Sequence, residues 1–262
     1  MVINIKKILK NNYKIDSVDI EKNEESTDGN VYIITDKNNK KYALKIYKSE
    51  EHAINMVKLH TYLKNNSINV PEIIKAEDKS YVTYKEKYFV LYSYIKGNKL
   101  KNIEFDDEKI VNTAIQLRKI HELKNEDINL EKVPFEIEKN RESILHFDIT
   151  KNNIFLCDEK IYFIDFDDAK YGPAICDVAI AITNLFITKI NGADIEGMKL
   201  FINTYYKDNE NLKHKEVPLI GKIASMWIKS IINMQNIDTS IKTGLENKLD
   251  LINKIWSEQW IN

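Results

Sequence analysis

The feature that most constrains the fold of this chain is a change of hydrophobic periodicity near Gly97. Before that residue, short runs of β-branched and aromatic residues alternate with polar turns, as in antiparallel hairpins. These runs cover residues 31–35, 42–47, 80–84 and 88–95. A helix is predicted between the two hairpins, over residues 50–66, with Ser49 as its N-cap. The pattern therefore predicts a small β-rich lobe over residues 1–96.

After Gly97 the apolar residues recur mainly at the spacing of amphipathic helices. The predicted helices cover residues 106–123, 177–190, 195–206, 218–235 and 240–261. Short strand-like segments lie between the first two helices, at residues 143–147, 153–156 and 160–166. We predict an α+β chain whose second lobe, residues 97–262, is larger and mainly helical.

Composition excludes several classes of protein. The 39 Lys+Arg nearly balance the 40 Asp+Glu, whereas nucleic-acid-binding proteins usually carry a clear basic excess. Two cysteines, Cys157 and Cys176, are too few for a disulfide scaffold or a four-cysteine zinc site. No stretch approaches the roughly 20 apolar residues of a membrane span, and the N-terminus lacks the apolar core of a secretory signal. We expect a cytoplasmic protein without nucleic-acid or membrane partners, and its oligomeric state stays open.

The most informative stretch, residues 143–156, contains His146-x-Asp148 with Asn153 five residues after the aspartate. Asp165 follows twelve residues later in the run Ile-Asp-Phe-Asp. Phosphoryl transfer needs a carboxylate that orients the attacking hydroxyl and accepts its proton, together with oxygen ligands for Mg²⁺. Asp, Asn and Asp on neighbouring segments can supply this set. The alternative is that Asp148 and Asn153 only shape a turn, as both residue types often do.

These motifs resemble those of the aminoglycoside phosphotransferase and choline kinase-like family, which has the bilobal protein-kinase-like fold. The resemblance covers residues 21–206. It implies an enzyme that uses ATP and Mg²⁺ to phosphorylate a hydroxyl group of a small molecule, with GTP as the alternative donor. The acceptor class stays open among amino alcohols, sugars and aminoglycoside-like molecules.

The resemblance also implies roles for individual residues of the second lobe. Asp148 would be the catalytic carboxylate, and Asn153 and Asp165 would complete the catalytic centre as the Mg²⁺ ligands. Two residues would support this centre structurally: His146 within the catalytic loop and Asp177 at the start of a helix. Two further acids, Asp167 and Asp168, follow Phe166. A functional role for either of them and simple exposure to solvent are equally good interpretations.

In the first lobe the resemblance implies a nucleotide site. Lys45 matches the lysine that pairs with the α- and β-phosphates. The alternative for Lys45 is the exposed face of an edge strand. Gly29 and Asn30 fall where the family has its phosphate-covering loop. The main chain of Ser93 and Ile95 would hydrogen-bond the nucleotide base.

One departure from the family pattern concerns the acid that usually pairs with this lysine. The aligned positions, Asn55 and Met56, hold no acid, and Glu51 is the candidate that replaces it. This departure keeps open a non-catalytic kinase-like binding or spore-coat protein. A protein Ser/Thr kinase is another alternative, but residues 165–177 are short for an activation segment.

Other residues with chemical potential are interpreted as structural. The histidines at positions 52, 60, 121 and 214 lack the spacing of metal ligands. The tryptophans at positions 227, 256 and 260 are interpreted as packing residues, with an aromatic cage for a quaternary ammonium as the alternative.

Overall fold

The computed structural model describes residues 4–24, 30–124, 128–137, 141–188, 192–207, 209–234 and 237–258. The chain forms two compact units, Met1–Lys96 and Gly97–Asn262. Within the described residues, no helix combines the length and the apolar character needed to cross a membrane.

The first unit is built on a six-stranded antiparallel sheet. Its elements are α1 (Ile5–Ile8), a π-helical turn (Leu9–Tyr13), β1 (Ser17–Lys22), β2 (Val31–Asp36), β3 (Lys41–Tyr47), α2 (Glu50–Asn65), β4 (Ile73–Ile74), β5 (Val82–Tyr84) and β6 (Lys87–Ser93). The strand order is β1-β2-β3-β6-β4, and β5 also pairs with β6. Strand β3 therefore lies inside the sheet, between β2 and β6.

Local sequence explains the turns and caps of this unit. In the β2–β3 turn, the carboxylate of Asp36 accepts hydrogen bonds from the amides of Asn38 at 2.8 Å and Lys40 at 2.9 Å. Such Asx bonds favour a tight polar turn. Helix α2 is capped by the side chain of Ser49 and carries two acids in its first turn, where they complement the helix dipole.

The second unit combines short sheets with long helices. Its elements are β7 (Asn98–Lys99), a 3₁₀ turn (Leu100–Asn102), α3 (Asp107–Glu122), β8 (Glu142–Leu145), β9 (Ile154–Cys157), β10 (Lys160–Phe163), β11 (Lys170–Pro173), α4 (Ile175–Ala181), a π-helix (Ile182–Phe186), β12 (Ile187–Thr188), β13 (Gly192–Ala193), α5 (Ile195–Tyr206), α6 (Glu210–Ile232) and α7 (Thr239–Ser257). The sheets are β10-β9-β7, β11-β8 and β12-β13. Helices and strands thus occur together, as the predicted α+β class requires.

Two of the predicted helices have wrong boundaries. The helix predicted over residues 177–190 begins at Ile175, becomes a π-helix at Ile182 and gives way to a strand at Ile187. Helix α6 begins at Glu210, well before the predicted start at Pro218. Proline is tolerated there because its ring is exposed, so the carbonyl that it leaves without an amide partner can bond to water.

The described tryptophans pack within the late helices. Trp227 is 8% exposed. Trp256 donates from Nε1 to the carbonyl of Val217 at 3.1 Å, and its ring lies against Gly221. Trp260 lies outside the described residues. These contacts support the packing interpretation for Trp227 and Trp256.

Candidate active site

The predicted catalytic residues lie on the loop between β8 and β9. Strand β8 is buried apart from its first residue, so its end fixes the start of the loop. Phe147 then takes the left-handed backbone conformation, with φ of 64°. A bulky residue adopts this conformation only where its surroundings enforce it, as commonly happens at functional sites.

His146 ties the loop to the segment that precedes Asp165. Its side chain is fully buried, and Nε2 donates to the carbonyl of Ile164 at 2.9 Å. Nδ1 accepts from the amide of Asp148 at 3.3 Å, which assigns the proton of the imidazole to Nε2. The ring also packs on Phe166, with centroids 4.4 Å apart. His146 therefore fixes the backbone on both sides of the site.

Asn153 orients the carboxylate of Asp148. Its Nδ2 donates to Oδ2 of Asp148 at 2.6 Å and to the main-chain carbonyl of Asp148 at 3.1 Å. Because the amide nitrogen faces Asp148, the carboxamide oxygen is the atom turned away from it. The main-chain carbonyl of Asn153 accepts a hydrogen bond from the amide of Ile164 at 3.0 Å. Asp165 is the next residue after Ile164 and is exposed, so this bond holds the backbone before Asp165 close to Asn153.

The surroundings of Asp148 raise the pKa of its carboxyl group. Burial is the largest cause that raises the pKa of Asp148, and the charges of Asp168 and Asp165 raise that pKa further. His146 lowers this pKa, and the hydrogen bond from Asn153 lowers it to a smaller extent. Asp168, the second of the two acids after Phe166, thus contributes to the electrostatics of Asp148. Asp167 is half-buried and follows directly on Phe166.

The composition of this site fits a divalent cation. Asp165 and the carboxamide oxygen of Asn153 are hard oxygen ligands of the kind that Mg²⁺ prefers, and the neighbouring acids add negative charge. Among the described residues, no three His, Cys, Asp or Glu side chains form a metal-binding group. Mg²⁺ commonly binds to one or two protein ligands and takes the others from phosphate and water, so two protein oxygens are enough for it.

Asp177 braces the loop from the first turn of α4. Its side chain is fully buried. Oδ2 accepts from the amide of His146 at 2.7 Å, and Oδ1 accepts from the amide of Phe147 at 2.9 Å. One carboxylate therefore holds the two main-chain amides directly before Asp148.

His121 continues this network, although sequence analysis interpreted it as ordinary. Its Nε2 lies 3.1 Å from Oδ2 of Asp177, and its Nδ1 lies 2.6 Å from the hydroxyl of Tyr205. Burial lowers the pKa of His121, against the opposing effect of Asp177. The neutral ring then donates to Asp177 and accepts from Tyr205, whose oxygen also accepts from Arg141 at 3.3 Å. The sequence does hold one indication of this role: His121 lies next to the apolar stripe of its helix, and a polar side chain that is buried there needs hydrogen-bond partners.

In the first unit, Lys45 lies on β3, between the buried Leu44 and Ile46. Its strand pairs on both sides, so the edge-strand alternative is wrong. The Lys45 ammonium lies 5.7 Å from the centre of the Tyr47 ring. The carbonyl of Asn30 accepts from the amide of Ile46 at 3.0 Å, which places Asn30 beside the lysine strand. Gly29 lies outside the described residues.

The remaining candidates of the first unit are placed as follows. Ser93 is the last residue of β6, and its amide donates to the carbonyl of Glu72 at 2.8 Å. Ile95 lies two residues beyond the end of that strand. Glu51 is exposed in the first turn of α2. Its neighbour Glu50 accepts from the hydroxyl of Tyr81 at 2.9 Å.

Comparison with solved structures identifies the fold. The microcompartment-associated aminopropanol kinase aligns with a TM-score of 0.72 and 12% identity, over 100% of this chain and 99% of that chain. The amicoumacin kinase hAmiN, in complex with AMP-PNP, Ca²⁺ and Ami, aligns with a TM-score of 0.67 and 15% identity, over 98% and 94%. The choline kinase LicA from Streptococcus pneumoniae aligns with a TM-score of 0.63 and 14% identity, over 97% and 98%. The predicted protein-kinase-like fold is confirmed.

Comparison of the sequence itself identifies the family. A search of the curated proteins found no match. The model of the family APH, described as the phosphotransferase enzyme family, matches residues 19–142 and 130–199. These segments make up more than half of the chain and include the loop that carries Asp148, together with Asp165 and Asp177. The chain therefore belongs to the phosphotransferase enzyme family.

Proposed function

We propose that this protein is an ATP- and Mg²⁺-dependent kinase that phosphorylates a hydroxyl group of a small molecule. The observation that carries the proposal is the state of Asp148. Its carboxylate is oriented by Asn153, and burial together with the neighbouring acids raises its pKa. A raised pKa makes a carboxylate a better proton acceptor, which is the property that a general base needs.

The transfer step follows from this arrangement. Asn153 bonds to Oδ2 of Asp148, so Oδ1 is the oxygen that accepts the proton of the acceptor hydroxyl. As that O–H bond breaks, the acceptor oxygen bonds to the γ-phosphorus, and the bond from phosphorus to the β,γ-bridging oxygen breaks. ADP and the phosphorylated acceptor leave, and Asp148 releases its proton to solvent.

Other residues of the chain hold the reactants in this step. Asn153 and Asp165 hold Mg²⁺, which neutralises charge on the phosphates when it is bound. Lys45 binds the α- and β-phosphates, and Asn30 lies beside its strand. The main chain around Ser93 and Ile95 binds the base. Lys45 comes from an inner strand with buried neighbours, which supports a fixed position for its charge.

The acceptor we propose is an amino alcohol, a sugar or an aminoglycoside-like molecule. Two of the similar structures are named for amino alcohols, choline and aminopropanol, and a third is named for amicoumacin. These names belong to distant relatives, so they define a panel of acceptors to test.

The experiment is ADP release with MgATP across a panel of choline, ethanolamine, aminopropanol, homoserine, methylthioribose and several aminoglycosides. Wild type is compared with Asp148→Ala and with Asp250→Ala, a control at an exposed aspartate of α7. We expect acceptor-dependent release in wild type and in the control, and loss of release in Asp148→Ala. Calorimetric titration with ADP should show similar affinity in all three proteins.

Three outcomes would contradict the proposal. Turnover retained by Asp148→Ala would remove the catalytic role of that residue. ADP binding without release on any acceptor would favour the non-catalytic binding protein, whereas ³²P incorporated into a polypeptide would favour a protein kinase. Chelation of divalent cations should abolish release, which tests the dependence on Mg²⁺ separately.

A further inference from the structure

The helix that carries Asp177 contacts the catalytic loop a second time. Asn184 lies in the π-helix that continues α4, and its Nδ2 donates to the main-chain carbonyl of Ile149 at 3.1 Å. Ile149 follows Asp148 directly. Asp177 holds the amides before Asp148, and Asn184 holds the carbonyl after it, so one helical segment fixes the backbone on both sides of the catalytic carboxylate.

The orientation of Asn184 is set by a cation from the last described helix. Lys248 of α7 donates to Oδ1 of Asn184 at 3.4 Å and to the main-chain carbonyl of Thr183 at 3.0 Å. A carboxamide can turn either its oxygen or its nitrogen towards a partner, but an ammonium group can only donate. Lys248 therefore selects the oxygen, and this leaves the nitrogen of Asn184 facing Ile149.

A second physical effect favours the same position for Lys248. The carbonyl of Thr183 belongs to the last turn of its helical segment, where main-chain carbonyls lack helical partners and the dipole favours a cation. π-helical turns occur frequently at functional sites. The ammonium thus has two acceptors and a favourable field at this helix end.

We propose that Asn184 and Lys248 are positioning residues for phosphoryl transfer, acting on Asp148 through the backbone of Ile149. This inference rests on the proposed function. A loop that is no longer held at Ile149 leaves Asp148 misplaced with respect to the acceptor hydroxyl, and small misplacements of a catalytic group have large effects on rate. Binding of the nucleotide, which uses other residues, is unaffected.

The test uses Lys248→Met, which removes the ammonium and keeps most of the volume, and Asn184→Leu, which removes the carboxamide. Lys248→Arg is the conservative variant, and Lys242→Met is the control at an exposed lysine of the same helix. We expect kcat to fall about tenfold in both disruptive variants. KM for MgATP should stay within about twofold of wild type, and Lys248→Arg should restore most of kcat. The double variant should lose no more kcat than Asn184→Leu alone, since the proposed effect of Lys248 on the loop passes through Asn184.

A second readout does not depend on turnover. Hydrogen–deuterium exchange of the peptide spanning residues 144–156 should be faster in Lys248→Met than in Lys242→Met, with equal unfolding midpoints in urea. Loop exchange and kcat equal to the control would overturn the inference, and so would additive effects in the double variant. If wild type phosphorylates no acceptor, the proposed function fails, while loop exchange still decides whether the two residues hold the loop. If Asn184→Leu does not fold, Asn184→Ser replaces it.

Discussion

Removing the carboxylate of Asp177 gives the most direct test of the hydrogen-bond network beneath the loop that carries Asp148. In Asp177→Ala the amides of His146 and Phe147 lose their acceptor, a side chain that is itself fully buried. A buried amide without a partner costs about 1–3 kcal/mol, so two cost about 2–6 kcal/mol. The neutral ring of His121 loses its acceptor as well. We expect the free energy of unfolding to fall by at least about 2 kcal/mol.

That loss is a considerable part of the usual free energy of unfolding of a folded domain, about 5–15 kcal/mol. Urea unfolding followed by circular dichroism measures it, with Asp250→Ala as the control at an exposed aspartate. Asp177→Asn keeps one acceptor oxygen and should lose about half as much. ADP release should fall in both variants, because the misplaced loop carries Asp148. If Asp177→Ala unfolds at the same urea concentration as the control, the three hydrogen bonds do not stabilise the fold and the reasoning is refuted.

Three further predictions concern single side chains. Asp148→Asn should unfold at a higher temperature than wild type at pH 7. The pKa of Asp148 is raised in the folded state, so ionising this residue lowers the stability of the wild type as the pH rises above about 3.9. The difference in unfolding temperature between the two proteins should therefore vanish near that pH. The stability of the wild type should decline as the pH falls below about 6.5. Burial lowers the pKa of His121 in the folded state, so the unfolded chain binds a proton at this residue before the folded chain does. Urea titrations at pH 7.5 and 5.5 should show a smaller decline for His121→Gln. Gly221→Ala should lower stability by about 1 kcal/mol in urea unfolding: the new methyl group overlaps the Trp256 ring, with Cδ2 at 2.7 Å, and this strain outweighs the gain in helix propensity. Equal pH slopes for wild type and His121→Gln, or a more stable Gly221→Ala, would contradict the respective predictions.

The sequence predicts those structural features whose determinants lie within a few residues of one another. The polar turn after Asp36 and the cap at Ser49 are encoded within a few residues, and the structure has both. The spacing of His146, Asp148 and Asn153 places them on one loop for the same reason. Local patterns fail at Pro218, since whether a proline ends a helix depends on which side of the helix meets water.

The supporting contacts could not be predicted because they join distant parts of the chain. His121 is 56 residues from Asp177 and 84 from Tyr205. Lys248 is 64 residues from Asn184. Such pairs follow from how helices pack, and no spacing in the sequence records them. The acceptor class could not be predicted either, since acceptor contacts in this family are expected from the late helices, which carry no motif.

The burial of α4 has a consequence for how the protein tolerates mutation. All seven residues from Ile175 to Ala181 are buried, and only Asp177 is polar. A saturation scan selected for activity should therefore show this helix to be as intolerant as the catalytic loop, with size changes at Ala179 rejected as firmly as changes at Asp148. We expect accepted changes in this segment to be those that conserve side-chain volume. A map of tolerated substitutions would then mark two sets of intolerant residues: those of α4, which hold the loop with Asp148 in place, and those proposed to contact the substrate.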